Sequence, residues 1–79
     1  MSFMTAAWLI ERFGPRVNVD QLAQVLDCTP ATIRNRISAG TLGIPTYLDG
    51  ARRYADCRDV VEYLDRCRER ARAESAPAD

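Results

Sequence analysis

The spacing of apolar and polar residues predicts a first helix over residues 2–13, which Gly14 and Pro15 end. Its apolar side is a line made of Phe3, Ala7, Ile10 and Phe13, with Met4 and Trp8 beside the line. The first interpretation is that this helix covers the rest of the domain and completes the core. A small domain cannot bury so many large side chains, however, so the alternative is that Trp8 or Met4 contacts a second subunit.

Two short helices joined by a tight turn are predicted over residues 18–40. Asn18 is a good N-cap, and Gln21 three residues later completes the sequence pattern of a capping box. Asp27 suits the turn, because aspartate tolerates the left-handed backbone conformation better than most residues. The apolar face of the first short helix consists of Leu22, Ala23 and Leu26, with Val25 at its margin.

The second short helix is predicted to begin at Pro30, where the missing N–H of proline costs nothing, after Thr29 as its N-cap. Gly40 stands where a left-handed C-terminal cap is expected. Ile33 and Ile37 point inward, which leaves four polar residues on or near the outward side: Thr32, Arg34, Asn35 and Arg36. This pattern is typical of a helix-turn-helix, whose second helix enters the major groove of DNA. The alternative is a helical hairpin that packs against its neighbours and touches no nucleic acid.

A β-hairpin is predicted over residues 46–54. Pro45 prevents a helix from continuing, and the residues that follow it have strand composition. Asp49 and Gly50 form a strong signal for a short hairpin turn, which makes residues 51–54 the returning strand.

A two-stranded hairpin is barely stable alone, so we expect this one to lie on the helices through Tyr47 or Leu48 and through Tyr54. It then has the shape of a wing beside the helix-turn-helix. Arg52 and Arg53 would lie at DNA phosphates or in the minor groove. The alternative is a solvated turn with two incidental arginines.

A last helix is predicted to begin after Asp56, whose side chain caps it, and Asp59 adds favourable charge to its first turn. Its apolar stripe consists of Val60, Leu64, Cys67 and Ala71, flanked by Val61 and Tyr63. The opposite surface alternates acids with arginines, which indicates a solvated face that could also support self-association. No pattern follows Ala73, so we expect one domain over residues 1–74 and a disordered tail over residues 75–79.

The distribution of charge says more than its sum. The 79 residues carry eleven arginines and lysines, all of them Arg, and eleven acids, so the formal net charge is zero. Between residues 30 and 54, four arginines stand against one acid, Asp49, and this segment is locally +3. Affinity for phosphates depends on the local field, so this segment is the candidate for nucleic-acid binding.

The residue types argue against an enzyme and against a metal site. Histidine is absent, which removes the commonest general base and the commonest metal ligand. Cys28, Cys57 and Cys67 show no CxxC spacing and suit a reducing cytosol as small buried hydrophobes. No nucleophile, base and orienting group can be assembled, and we expect no cofactor. No signal-peptide pattern or long apolar run is present, so we expect a cytoplasmic protein that spans no membrane.

The order of these motifs resembles a known group of proteins. A helix-turn-helix, Gly-x-Leu-x-x-Pro, a hairpin with DGARRY and an Asp-capped DVVEYL helix resemble the small winged-helix proteins of phages and integrative elements. These are the excisionases and related regulators, whose fold is similar to the DNA-binding head of the MerR family. The layout TAAWLIERFG, LDCTPATIRNRISAGTLGIP and DVVEYLDRCRERA resembles the pyocin-activator family in particular, which includes prophage excisionases. The resemblance covers about residues 4–73.

The resemblance implies a mainly α-helical winged helix-turn-helix with a small β-hairpin that binds double-stranded DNA. It implies an excisionase, or recombination directionality factor, which bends attachment-site DNA, often as cooperating copies, and directs a separate integrase towards excision. Some such proteins also act on promoters, and a dedicated promoter-binding activator or repressor is the alternative function. By position, the DNA-contacting residues would be Thr32, Arg34, Asn35 and Arg36 in the major groove and Arg52 and Arg53 in the wing.

Two residues depart from the pattern of the family. Asp27 stands where many helix-turn-helix proteins have Gly, and Arg36 stands where an apolar residue is common. The second departure leaves open whether Arg36 or only Arg34 faces the DNA. A third hypothesis is a protein-interaction module that uses the apolar first helix and the charged last helix. Small size and apolar surface favour a dimer or a DNA-assembled array over a monomer.

Overall fold

The computed structural model describes residues 3–75, with side chains from residue 6 onward. In chain order the elements of this part are α1 (Phe3–Phe13), β1 (Arg16–Asn18), α2 (Val19–Leu26), α3 (Pro30–Ala39), β2 (Tyr47–Asp49), β3 (Arg52–Asp56) and α4 (Cys57–Ser75). The prediction of a mainly helical domain with a small β part is therefore confirmed. The predicted helix start at Ser2, the side chains of Phe3 and Met4, and residues 76–79 of the predicted tail lie outside the described residues.

Local hydrogen bonds explain where α2 begins and ends. The Gln21 N–H donates to Asn18 Oδ1 at 2.9 Å, and the Asn18 N–H donates to Gln21 Oε1 at 3.0 Å, so the predicted capping box is confirmed. Asp27 ends the helix in the left-handed conformation, with a φ of 56°. The side chain of aspartate makes this conformation cheaper than it is for most residues, as the sequence indicated.

α3 also begins and ends as predicted. Thr29 Oγ1 accepts from the Thr32 N–H at 3.1 Å, and Gly40 ends the helix with a φ of 71°. Ile33 is fully buried and Ile37 is half-buried, which confirms the predicted inward face. α3 packs against α2, so the two helices and their turn form one unit.

The sheet has the strand order β1-β3-β2, and all its pairs are antiparallel. The sequence does not predict β1, because three residues are too few to show an alternating pattern. In the hairpin, Asp49 pairs with Arg52 and flanks the two-residue turn Gly50-Ala51. Only Gly50 in this turn has a positive φ, 66°, as in a type II′ turn. Ala51 therefore belongs to the turn and not, as predicted, to the returning strand.

Alternation along the strands gives the sheet a buried inner face and an exposed outer face. Val17 of β1 and Ala55 of β3 are paired and buried, and they point into the core. The prediction that Tyr47 or Leu48 anchors the hairpin is wrong. Both residues are exposed, Tyr47 to 43% and Leu48 to 62% of its surface. Tyr54 is half-buried on the outer face. The hairpin is instead anchored by the pairing of β3 with β1 and by Ala55.

A single core collects side chains from all four helices, from β1 and β3, and from the loop after α3. Leu42 and Ile44 are the buried residues of that loop. Gly43 between them has a φ of 80°, and a Cβ there would lie 3.4 Å from the Tyr63 ring of α4. The Arg66 Nη2 atom donates to the Gly43 carbonyl at 3.2 Å. These contacts hold the loop against α4.

The buried face of α1 differs from the predicted one. Leu9 is fully buried where α1 packs against α4 and β1. Ala7 and Ile10, which belonged to the predicted apolar line, are exposed, and Phe13 is half-buried. Apolar residues lie on both sides of Leu9, so their spacing alone could not tell which line meets the core. Trp8 is 56% exposed and contacts Phe13 edge to face, with 6.1 Å between ring centroids. The domain thus leaves large apolar side chains of α1 uncovered.

α4 follows β3 without a loop, and Asp56 caps it as predicted. Its Oδ1 atom accepts from the Arg58 N–H at 2.8 Å, and the Arg58 guanidinium, which binds the same carboxylate, lowers the pKa of Asp56. The predicted stripe is covered only in its first half, since Val60 is buried and Ala71 is exposed. The helix continues through Ser75, beyond its predicted end. No helix within residues 3–75 has the length and apolar character needed to cross a membrane.

We expect Leu9→Ala and Ile10→Ala to distinguish the buried face of α1 from its exposed side. Leu9→Ala leaves a cavity in the core and should lower the free energy of unfolding by about 2 to 5 kcal/mol. Ile10→Ala is the matched control at the next position, which is half exposed, and should change it by about 0.5 kcal/mol or less. Urea unfolding followed by Trp8 fluorescence measures both variants. Equal losses of unfolding free energy in the two variants would contradict the burial of Leu9 against the core.

Candidate nucleic-acid interface

An open groove of about 590 Å³ lies between α3 and the β2–β3 hairpin, and we call it the α3–hairpin groove. The residues that α3 contributes to it are Arg34, Ile37 and Ser38. The hairpin contributes Leu48, Ala51, Arg52 and Arg53. Residues 18–20, at the start of α2, complete the lining. The groove is thus formed by the two elements in which the sequence placed all of its candidate DNA-binding residues.

The charge of this groove is positive. Arg34, Arg52 and Arg53 line it together with one acid, Asp20. Arg53 Nη1 donates to Thr46 Oγ1 at 2.9 Å, which holds this guanidinium beside the residue that precedes β2. Arg34 and Arg52 are exposed and form no hydrogen bond or ion pair within residues 3–75. Neither guanidinium is neutralised by a partner in this part of the chain, so both can bind an external anion.

The rotation of α3 separates the two arginines that the sequence could not distinguish. Ile33 is fully buried and fixes which side of α3 faces the core. Arg34 and Arg36 then lie about 200° apart around the helix, on opposite flanks. Arg34 lines the α3–hairpin groove, whereas Arg36 lines a smaller hollow of about 150 Å³ beside Leu42 and Gly43. Only Arg34 of this pair shares a groove with the hairpin.

The two uncharged candidates on α3 differ in their surroundings. Asn35 is exposed and lies on the side of the helix away from Ile33. Thr32 is half-buried, and its Oγ1 lies 2.9 Å from Thr29 Oγ1, so its hydroxyl takes part in the cap of the helix. Asn35 is therefore the more accessible of the two.

The outer face of the sheet carries a cluster of polar contacts around Arg16. Arg16 Nη1 forms an ion pair with Asp49 Oδ2 at 2.7 Å, and its guanidinium carbon lies 3.8 Å from the centroid of the Tyr54 ring. The ring centroids of Tyr54 and Tyr47 are 6.2 Å apart. Hydrogen bonding to Tyr47, and then to Asp49, raises the pKa of Arg16 above its ordinary value. Arg16 thus crosses the central strand and joins β1 to β2.

The sequence reasoning missed two residues of this region. Leu48 was expected to be a packing residue, but it lies on the groove side of the hairpin and is 62% exposed. The strand register would have placed Leu48 in this region. Once the turn is known to be Gly50-Ala51, Leu48 is directly opposite Arg53, a candidate DNA-binding residue, on the same face of the hairpin. Arg16 was missed because it belongs to β1, a strand with no sequence signal of its own.

The cysteines and acids do not form a chemical centre in the described part of the chain. No group of three or more Cys, Asp or Glu residues within it could hold a metal ion. Cys28, Cys57 and Cys67 are free thiols. The Cys57 thiol donates to the Gly14 carbonyl at 2.9 Å, and its burial raises the pKa of this thiol, so it remains protonated at neutral pH. Its surroundings are those of a packing residue.

Three of the six predicted site residues, Arg34, Arg52 and Arg53, come together in the α3–hairpin groove. Thr32, Asn35 and Arg36 lie on α3 outside its lining. Comparison with protein-family models, with curated proteins and with solved structures finds no match to this chain.

Proposed function

We propose that this protein binds double-stranded DNA in a sequence-specific manner as a winged helix-turn-helix. In this proposal α2 and α3 are the helix-turn-helix and the β2–β3 hairpin is the wing. The observation that carries it is the α3–hairpin groove, because Arg34 of α3 and Arg52 of the hairpin, both exposed, line the same open space. A sugar-phosphate backbone suits this arrangement, because it presents a line of negative charges to which Arg binds with directed hydrogen bonds.

The residues of the two elements have different proposed roles. α3 enters the major groove, where Arg34 can pair bidentately with guanine and Asn35 with adenine, each pair giving roughly 1 to 3 kcal/mol of discrimination. Arg52 and Arg53 bind phosphates beside the adjacent minor groove. Arg36, on the opposite flank of α3, binds the backbone and reads no base. Phosphate contacts set the position of the protein, and the contacts of α3 set its sequence preference.

The proposed biological role is that of an excisionase, a recombination directionality factor of a prophage or integrative element, working in the cytoplasm. The support for this role is the resemblance of the motif order, from the helix-turn-helix to the Asp-capped last helix. The protein would bend attachment-site DNA so that a separate integrase acts in the direction of excision. Smooth bending over one site costs on the order of 1 to 6 kcal/mol, which contacts from neighbouring copies offset.

Self-association is part of this proposal. Trp8 and Ile10 of α1 are 56% and 50% exposed, and α4 carries exposed arginines and acids along its last two turns. These surfaces lie outside the α3–hairpin groove, so a second copy could bind them while DNA occupies the groove. A dimer or a DNA-assembled array would then bind repeated sites cooperatively.

A gel-shift titration on two duplexes tests the proposed function. One probe is the attachment site of the host element, and the other is the promoter of its neighbouring genes. We expect laddered, cooperative shifts on the attachment site, with an affinity that falls linearly with the logarithm of the salt concentration. A single shift on the promoter alone would favour a dedicated transcriptional activator or repressor. No salt-sensitive shift on either probe would overturn DNA binding and leave a protein-interaction module.

Replacing single arginines tests the proposed DNA-binding surface. Arg34→Ala should lower affinity for a specific duplex by about five- to 150-fold, the loss expected of one bidentate base contact. Arg52→Ala should weaken binding to all sequences and lower the salt slope by about one. Arg72→Ala is the matched control on a duplex with a single site, where self-association does not contribute, because Arg72 is also exposed but lies near the end of α4, outside the groove. Equal affinities for all three variants and the wild type would rule out this surface.

Leu48 supplies a test that does not depend on charge. Leu48→Ser should weaken binding to a single-site duplex by roughly five- to thirtyfold, because the exposed leucine side chain would lose its burial against deoxyribose or bases. The melting temperature should stay within about 2 °C, since Leu48 is mostly exposed without DNA. Ile10→Ser is the control, because it removes a comparably exposed apolar side chain outside the groove, and the proposed self-association through Ile10 does not contribute on a single-site duplex. Equal binding by the two variants would place Leu48 outside the interface.

A further inference from the structure

The outer face of the sheet carries two acids, and each is already paired with an arginine. Asp56 binds Arg58, with 3.0 Å between Oδ2 and Nη2, and Asp49 binds Arg16, with 2.7 Å between Oδ2 and Nη1. Arg52 is the cation left over at the tip of the hairpin, without a hydrogen bond or ion pair in the described chain.

The partner that the fold offers to Arg52 is Asp49. The two residues are directly opposite each other in the β2–β3 register, so their side chains leave the same face of the hairpin. Directly opposed residues have Cβ atoms about 4.5 to 5.5 Å apart, which is close enough for an aspartate and an arginine to form an ion pair. An unoccupied Asp49 would therefore compete with any external anion for Arg52.

The position of Arg16 explains why Asp49 forms no ion pair with Arg52. Arg16 is directly opposite Asp56 in the register, but Arg58 occupies that carboxylate. The Arg16 guanidinium instead stacks on the Tyr54 ring at 3.8 Å and extends across the central strand to Asp49. Stacking orients the planar guanidinium, which lowers the entropy lost when it binds the carboxylate.

We propose that Arg16 is a positioning residue for DNA binding, which occupies Asp49 and thereby leaves Arg52 free for a phosphate. This inference rests on the proposed function of the groove. Arg16 acts through Asp49 and has no contact with the DNA itself. The ion pair is largely exposed, with 39% and 60% of the two side chains accessible, so its contribution to stability is small and its effect is on binding.

The salt dependence of duplex binding tests this role in the full chain. Arg16→Ala should lower the slope of log K against log salt by about 0.9, the value of one phosphate contact, just as Arg52→Ala does. Adding Asp49→Asn to Arg16→Ala should restore the wild-type slope. Adding Arg52→Ala to Arg16→Ala should cause no further loss, because Arg52 is already bound to Asp49. Arg16→Lys, which keeps the charge beside Asp49, should retain most of the affinity.

Arg12→Ala is the matched control for the loss of one positive charge. The Arg12 guanidinium carbon also lies over an aromatic ring, 5.1 Å from the centroid of Phe13, but it pairs with no acid within residues 3–75. For Arg12→Ala, the slope of log K against log salt should equal that of the wild type. If Arg16→Ala weakens binding and Asp49→Asn does not restore it, Arg16 binds DNA directly and the proposal is wrong.

A measurement without DNA distinguishes failure of this inference from failure of the proposed function. The ¹⁵N relaxation of the Arg52 Nε–H group should show a mobile side chain in the wild type and an ordered one in Arg16→Ala. Asp49→Asn in the same chain should restore the mobility. An Arg52 side chain that stays mobile in Arg16→Ala would overturn the inference even if the wild type binds DNA. A wild type that binds no duplex, with the expected relaxation, would overturn the proposed function and its role for Arg16 in DNA binding, while the competition of Arg16 and Arg52 for Asp49 would stand.

Discussion

The pairing of β1 with β3 is the constraint on which the rest of the structure depends. β1 runs directly into α2 through the cap residue Asn18, and β3 runs directly into α4, so one short ladder joins the two halves of the chain. Cys57 reinforces this junction, since its N–H donates to the Pro15 carbonyl at 3.0 Å and its thiol donates to the Gly14 carbonyl at 2.9 Å. The α3–hairpin groove follows from the junction, because α2 carries α3 and β3 carries the hairpin.

The parts of the fold that the sequence predicts are those that short-range interactions determine. The caps at Asn18 and Thr29 and the left-handed ends at Asp27 and Gly40 each depend on residues within one turn of the helix, and all four are as predicted. The hairpin turn is local too, although the choice between Asp49-Gly50 and Gly50-Ala51 as its centre needed the strand register. Such signals can be read from the sequence, because their hydrogen bonds join residues that are close together in the chain.

The parts that the sequence predicted wrongly or missed depend on residues far apart in the chain. β1 could not be predicted from its own residues, because it forms by pairing with β3. Val17 pairs with Ala55, which is 38 positions later in the chain. The buried side of α1 depends on its packing against α4 and β1, which buries Leu9 and leaves flanking apolar residues exposed. The same limit applied to the candidate site: the sequence identified the arginines of the groove, but the burial of Ile33 was needed to put Arg34 and not Arg36 beside the hairpin.

The two walls of the groove are under different physical constraints. α3 cannot rotate without exposing Ile33, so the fold itself fixes the direction of Arg34. β2, in contrast, is exposed at all three positions, so its side chains contribute little to the stability of the domain. Leu48 therefore has no role in the core that accounts for an exposed leucine beside arginines. In the proposed complex with DNA, this side chain lies beside the arginines that bind phosphates and would contact the apolar surface of deoxyribose or bases.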